Sequence, residues 1–349
     1  MAKTKEKILN YREELGKLKS FGPQRLYLLW GREDYLREQY LHQLRKLCLP
    51  DGENSFSFRR FEGPELSAED LREAIDAVPF LSERSFVELR GVDLNKLKDS
   101  PEDYISAISD IPDYCTVCFI QEPDFEPDGR LKLIKAIRAA GCELKFTQQG
   151  QGALLEWVSR RFAAQGKKID FDAAQRLIFI SGDLMNRLIP EIDKIAAYSS
   201  GERVTVADVE AVATHIPEAR IFDMTDHIAA RETNRAMNVL AELLSDGDNE
   251  PIALLAALGG QMRRLYCARL CVEKDLGAQF LTESCSLKSD YVSSLLLKAA
   301  RGFSLGQLED AVELCAQTDY LMKSSGEDAK ELLKEAVLSI CAEVVDAKR

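Results

Sequence analysis

The spacing of the apolar residues changes character once, near residue 150, and that change limits the fold more than any other feature of the chain. Before it, short apolar runs recur: Leu26-Tyr27-Leu28-Leu29-Trp30, then Phe56, Phe58 and Phe61 with Ser57, Arg59 and Arg60 between and beside them, then Ser85–Leu89, Cys115–Ile120 and Glu143–Phe146. Runs this short suit strands, and helical patterns separate them, so the first part predicts a parallel sheet covered by helices on both faces. After residue 150 only helical stripes remain. Leu154, Leu155, Val158 and Phe162 form one that ends near Gly166, and a second helix runs from about Asp172 to Ser181. Leu184, Leu188, Ile192 and Ile195 line a third that contains Pro190, and Thr205 with Asp208 opens a short fourth. Beyond them Ala236, Val239, Leu240, Leu243 and Leu244 share a face closed by Gly247, a long helix starts near Pro251, and further helices cover about 289–300, 304–322 and 327–346. The expected organisation is an α/β domain over 1–148, a small helical unit over 149–215 and a helical bundle over 216–349.

Composition fits this division. A chain of 349 residues exceeds one ordinary core, and 46% hydrophobic with 30% charged residues marks a globular chain rather than a disordered one. No apolar stretch reaches the roughly 18–20 residues that span a bilayer. No apolar signal core follows Met1-Ala2-Lys3-Thr4-Lys5-Glu6-Lys7, so a cytoplasmic location without membrane association is expected. The net charge of −12 gives a long-range field that does not attract nucleic acid, so any DNA contact must come from a local basic face or from partner subunits. The nine cysteines are odd in number and scattered, which does not describe a disulfide framework.

The turn after the first strand is where a phosphate-binding loop would sit. That loop needs a second glycine, a lysine and a hydroxyl at fixed offsets, because backbone amides cradle the phosphates, the lysine neutralises them and the hydroxyl holds magnesium. The stretch Gly31-Arg32-Glu33-Asp34-Tyr35-Leu36-Arg37-Glu38 has leucine for the second glycine, Arg37 for the lysine and Glu38 for the hydroxyl. An ordinary strand-to-helix turn explains it better. The other chemical candidates have equally plain explanations. Cys115 and Cys118 fall in an apolar, strand-like run, and Cys267 and Cys271 have helical spacing without a suitable histidine partner. His42, His215 and His227 belong to no visible nucleophile or metal motif, and Asp124 and Asp128 lack a phosphate cradle beside them. No catalytic residue, metal ligand or cofactor site is therefore expected.

Two basic clusters remain as contacts for DNA phosphates or partner subunits: Arg160, Arg161, Lys167 and Lys168, and Arg263, Arg264 and Arg269 with Tyr266 among them. A solvated face is the commoner use of such clusters. One apolar pair also stands out. Ser67 and Asp70 open a helix, Leu71, Ile75 and Val78 recur at helical spacing, and Pro79 marks its end. Phe80-Leu81 follow directly; the pattern fits either core residues, the commoner use, or an exposed anchor for a partner.

Four segments in order resemble the delta subunit family of the bacterial DNA polymerase III clamp loader: Leu28–Leu36, Phe61-Glu62-Gly63 leading to Val78–Arg84, Ile221–Asp226, and Asp319–Ser324. The resemblance runs from about Leu26 to Ala342. It implies an AAA+-like domain with a degenerate P-loop, a helical lid and a C-terminal helical collar. It also implies a DNA-replication role, with the sliding clamp (beta), delta-prime, the ATPase subunits and primed DNA as partners. The family binds and opens the clamp through two adjacent apolar residues at a helix end, which by position are Phe80 and Leu81. Its members also carry Leu-Phe there, so the reversed order is a departure, as is Pro190 in the lid. An AAA+ or P-loop ATPase with an unusual phosphate loop is the alternative, against which Gly31 to Glu38 argues. A delta-prime protein would carry a Ser-Arg-Cys trio, which is missing here.

Overall fold

The structure, a computed structural model, describes residues 11–50, 52, 57–64, 66–80, 82–96 and 99–346. The chain divides into two compact units, 1–150 with 184–186, and 151–183 with 187–349.

The first unit follows the order α1 (Tyr11–Phe21), β1 (Leu26–Trp30), α2 (Asp34–Cys48), β2 (Phe58–Glu62), α3 (Ala68–Asp76), β3 (Ser85–Arg90), α4 (Pro101–Ser109), β4 (Cys115–Ile120), α5 (Lys132–Ala140) and β5 (Cys142–Lys145). The strands form one five-stranded sheet in the order β2-β3-β4-β1-β5, with every pairing parallel. Leu28 stands beside Phe119 on one side and Glu143 on the other, and Val87 stands beside Val117. Because helices cover both faces, β1 and β4 are buried along their whole length, which is why they read as unbroken apolar runs. Leu26, Leu28, Val87, Leu89, Val117 and Phe119 share one core with Leu71 and Ile75 of α3 and Ile134 and Ile137 of α5. The opposite face buries Tyr27 and Leu29 together with Leu41 and Leu44 of α2. Cys115 and Cys118 lie in β4 as buried free thiols, small apolar fillers among larger ones.

The second strand begins at Phe58 rather than upstream of it, and Phe56 lies outside the described residues. Helix α1 is not visible as a stripe in the sequence, because Leu18 is its one buried residue.

The second unit contains α6 (Gln151–Ala164), β6 (Lys168–Ile169), α7 (Phe171–Ser181), α8 (Met185–Tyr198), β7 (Arg203–Val204), α9 (Val206–Val212), α10 (Pro217–Ala229), α11 (Thr233–Ser245), α12 (Pro251–Glu273), α13 (Ala278–Ser284), α14 (Asp290–Ala299), a short 3-10 turn (Ala300–Gly302), α15 (Leu305–Ser324) and α16 (Ala329–Asp346). It is not wholly helical. The strands β6 and β7 pair in parallel, Lys168 beside Arg203 and Ile169 beside Val204. Two residues are too few to give an alternating pattern, so this pairing is invisible in the sequence. Helix α8 continues through Pro190, which faces solvent, while Leu188, Ile192 and Ile195 are fully buried on its inner side. Leu254, Leu258, Met262 and Leu265 of α12 pack with Leu308, Ala311 and Cys315 of α15 and Val337 and Ile340 of α16 in one apolar core. Among the described residues no helix is long and apolar enough to cross a membrane.

Candidate functional site

Two places in the first unit carry the residues singled out by sequence, and they are built on opposite principles. The first is the turn from β1 into α2. Gly31 adopts φ 112°, and a Cβ there would lie 2.3 Å from the Phe146 carbonyl oxygen. Glycine is required by the close passage of the chain beyond β5, a reason unrelated to phosphate. That same carbonyl accepts the Glu33 N–H at 3.1 Å, so this amide of the turn is already used.

The charged side chains of this turn are also committed. Arg37 is buried; its guanidinium donates to the Gly31 carbonyl at 3.0 Å and pairs with Asp34 at 2.6 Å. Glu38 accepts a two-pronged pair of hydrogen bonds from Arg90 of β3, both at 2.9 Å. Arg90 also reaches Glu88 at 2.6 Å, and this fully buried carboxylate receives Arg45 at 2.9 Å and Arg60 at 3.0 Å as well. Burial pushes the Glu38 carboxyl upward, but the hydrogen bonds and charge of Arg90, with Arg37 and Arg45 behind it, outweigh this and hold it below its ordinary range. Nearby, Arg32 pairs with Asp124 at 2.9 Å, and Asp128 pairs with Arg130 at 2.7 Å. What remains at the strand ends is a shallow depression of about 410 Å³ lined by Trp30, Gly31, Arg32, Asp124, Phe125 and Lys145 among others. Among the described residues, no cluster of His, Cys, Asp and Glu has the makings of a metal site.

The second place is the exit from α3. Ser67 caps the helix by accepting the Asp70 N–H at 3.0 Å, and its own hydroxyl donates to the Asp70 carboxylate at 2.5 Å. Leu71, Ala74 and Ile75 are buried against the sheet. The helix ends at Asp76, earlier than the apolar spacing implies, so Val78 does not continue the buried stripe and is instead 76% exposed. Pro79 is the cause, since it disfavours helical geometry in the residue before it. The Tyr114 hydroxyl donates to the Asp76 carbonyl at 3.3 Å, satisfying one of the acceptors left open at the helix end. Phe80 is 63% exposed, so its ring is not part of the core. Leu81 lies outside the described residues.

The structure brings Gly31 and Arg37 together by a hydrogen bond and joins Glu38 to the arginine cluster. Sequence reasoning missed Glu88 and Arg90, which alternate along β3 with residues of the opposite face and gave no motif. It also missed Ser57 and Ser82, which are 25 residues apart yet in contact beside Phe80.

In the second unit Arg160 is exposed beside Glu156 at 3.5 Å, and Arg161 lies over the Trp157 ring at 5.6 Å. Lys167 is spent on the Ser199 and Gly201 carbonyls at 2.6 and 2.7 Å. Arg263 and Arg264 are exposed on α12 without an ion-pair partner among the described residues, whereas Arg269 pairs with Glu273 and Tyr266 donates to Glu309. His215 meets Asp223 at 3.2 Å and His227 meets Glu232 at 2.8 Å, both as ordinary side-chain pairs.

Comparison with known proteins assigns this architecture. The family model described as DNA polymerase III, delta subunit, matches residues 27–147, and the model for the C-terminal domain of the same family matches residues 218–340. DNA polymerase III subunit delta of Bacillus subtilis is 24% identical over 323 residues, covering 90% of this chain and 91% of that protein. The probable DNA polymerase III subunit delta of Aquifex aeolicus is 22% identical over 331 residues, with 90% and 91% covered. Among solved structures, the Bacillus subtilis DNA clamp loader delta protein aligns with a TM-score of 0.50 and 21% identity over 95% of this chain and 99% of that one. The chain belongs to the DNA polymerase III delta subunit family. Its first unit is accordingly a parallel five-stranded α/β domain with the fold of that clamp loader delta protein.

Proposed function

We propose that this chain binds the sliding clamp and opens it for loading onto primed DNA, through Phe80 and Leu81, without binding ATP. The observation that carries this reading is the exposed ring of Phe80 at the end of a capped and packed helix. A large apolar side chain that is mostly exposed at a fixed place is suited to a pocket on a partner. Binding energy gained there can hold a clamp interface in its open form by the difference in affinity for the two forms. The turn at Gly31 supports the second half of the reading, because its cation and its acids are engaged with one another. We further assign 149–215 as the lid and 216–349 as the collar that joins delta-prime and the ATPase subunits. Arg160, Arg161, Arg263 and Arg264 are assigned to contacts with DNA phosphates or with partner subunits inside that assembly, where partners offset the charge of −12.

The test is the affinity of the full chain for its purified cognate clamp in nucleotide-free buffer. Binding that needs no nucleotide is expected. Absence of binding at micromolar concentrations of both proteins would end the reading.

A further inference from the structure

We propose that Ser57 is a positioning residue for clamp binding, because its hydroxyl fixes the stretch of backbone that carries Phe80. The proposal rests on the reading of Phe80 as a clamp anchor.

Phe80 is 63% exposed, but its main chain is held. Its N–H donates to Ser57 Oγ at 3.2 Å, and its carbonyl accepts from the same hydroxyl at 3.5 Å. Bonds from one side chain to both polar groups of a single residue restrict the orientation of that residue and so the direction in which its ring leaves the chain. Ser82 Oγ lies 2.6 Å from Ser57 Oγ and donates to it, since the Ser57 proton goes to the Phe80 carbonyl, so the clasp takes hold on both sides of position 81.

The clasp hangs from rigid structure. Ser57 is buried, 5% exposed, and its carbonyl accepts the Phe86 N–H of β3 at 2.9 Å. The hydroxyl therefore moves with the sheet. A segment that samples many conformations binds only through the fraction that is correct, and its apparent affinity falls by that fraction. A hydroxyl at 57 raises the fraction without touching the partner. It also suits the position chemically: it donates and accepts at once, and here it does both.

The test uses the full chain and the purified cognate clamp, with Ser57→Ala, Ser57→Thr, Ser82→Ala, Phe80→Ala and the Ser57→Ala/Phe80→Ala double variant. Affinity, melting temperature and hydrogen exchange of the Phe80 amide are measured on each. Loss of one hydrogen-bonding hydroxyl is expected to weaken clamp affinity about fivefold in Ser57→Ala. Ser57→Thr, which keeps the hydroxyl, should stay within about twofold of the parent chain. The Phe80 amide should exchange faster in Ser57→Ala, and the Ser57 effect should vanish in the Phe80→Ala background, as it must if one residue acts through the other. Unchanged affinity in Ser57→Ala, with affinity lost in Phe80→Ala, overturns the positioning role and leaves the clamp reading standing. An equal loss from Ser57→Ala in both backgrounds also overturns it, since the effect is then general. Unchanged affinity in Phe80→Ala overturns the clamp reading and this proposal together. Should Ser57→Ala not fold, Ser82→Ala loosens the clasp from its other end, and unchanged affinity there overturns the proposal.

Discussion

The turn after β1 and the exit from α3 belong to the same α/β unit and show how differently two connections can spend their side chains. At the first, Arg37, Asp34, Glu38 and Arg90 answer one another, and little is left over for a ligand. At the second, the main chain of Phe80 is held while the residue stays 63% exposed. A connection that satisfies its charges internally becomes structural. One that fixes its backbone at the surface presents a side chain there in a set direction.

The largest expected effect lies in the closed connection. Glu88 is fully buried among Arg45, Arg60 and Arg90, so Glu88→Ala leaves guanidinium groups without their counter-charge. Breaking a buried pair from one side costs about 3–5 kcal/mol, to be read as lowered denaturant stability. A loss below about 1 kcal/mol would mean that water screens the cluster and that the turn is open to solvent.

The next effect sharpens the opposite side of the contrast. Burying a phenylalanine contributes about 1.5–3 kcal/mol, so Phe80→Ala is expected to weaken clamp binding at least about tenfold. Because the ring is 63% exposed, stability should change by no more than about 0.5 kcal/mol. A drop of several degrees in melting temperature with clamp affinity intact would place the ring in the core after all.

Arg37 comes third. Arg37→Lys restores the residue type of a phosphate-binding loop but gives up the forked contact with Gly31 and Asp34. The variant should lose about 1–2 kcal/mol of stability. Neither it nor the parent chain should bind ATP in calorimetry at millimolar concentration. Saturable binding by the parent chain would show that the turn opens for phosphate.

The smallest effect is in the second unit. Asp226 is an exposed residue, yet desolvation by the packing around it and the neighbouring Asp223 carboxylate push it up to about 6. The folded chain therefore holds this proton more tightly than the unfolded one, and stability contributed by protonation is lost as pH rises from about 4 through 6. Asp226→Asn should raise the melting temperature slightly at pH 7.5, and the gain should fade as pH drops toward 4. A gain that does not vary with pH would assign the effect to packing.

The sequence by itself determined the class of fold, because strands buried on both faces must be apolar throughout and amphipathic helices must repeat near every fourth residue. Both patterns are local, so the strands at Leu26–Trp30 and Cys115–Ile120 and most helices of the second unit were legible, whereas α10 and α13 were not read from the sequence. The departure of Gly31 to Glu38 from the phosphate-loop pattern was legible for the same reason, since it is one contiguous stretch. The rest depended on pairs that only folding creates. Nothing near Glu88 in sequence announces that Arg45 and Arg60 will meet it, and nothing in Ser57 announces Phe80. Local spacing also extended the α3 stripe to Val78, where Pro79 had ended the helix, and left open whether Phe80 faced core or solvent. Exposure is a property of what packs around a residue, so that choice belonged to the tertiary structure alone.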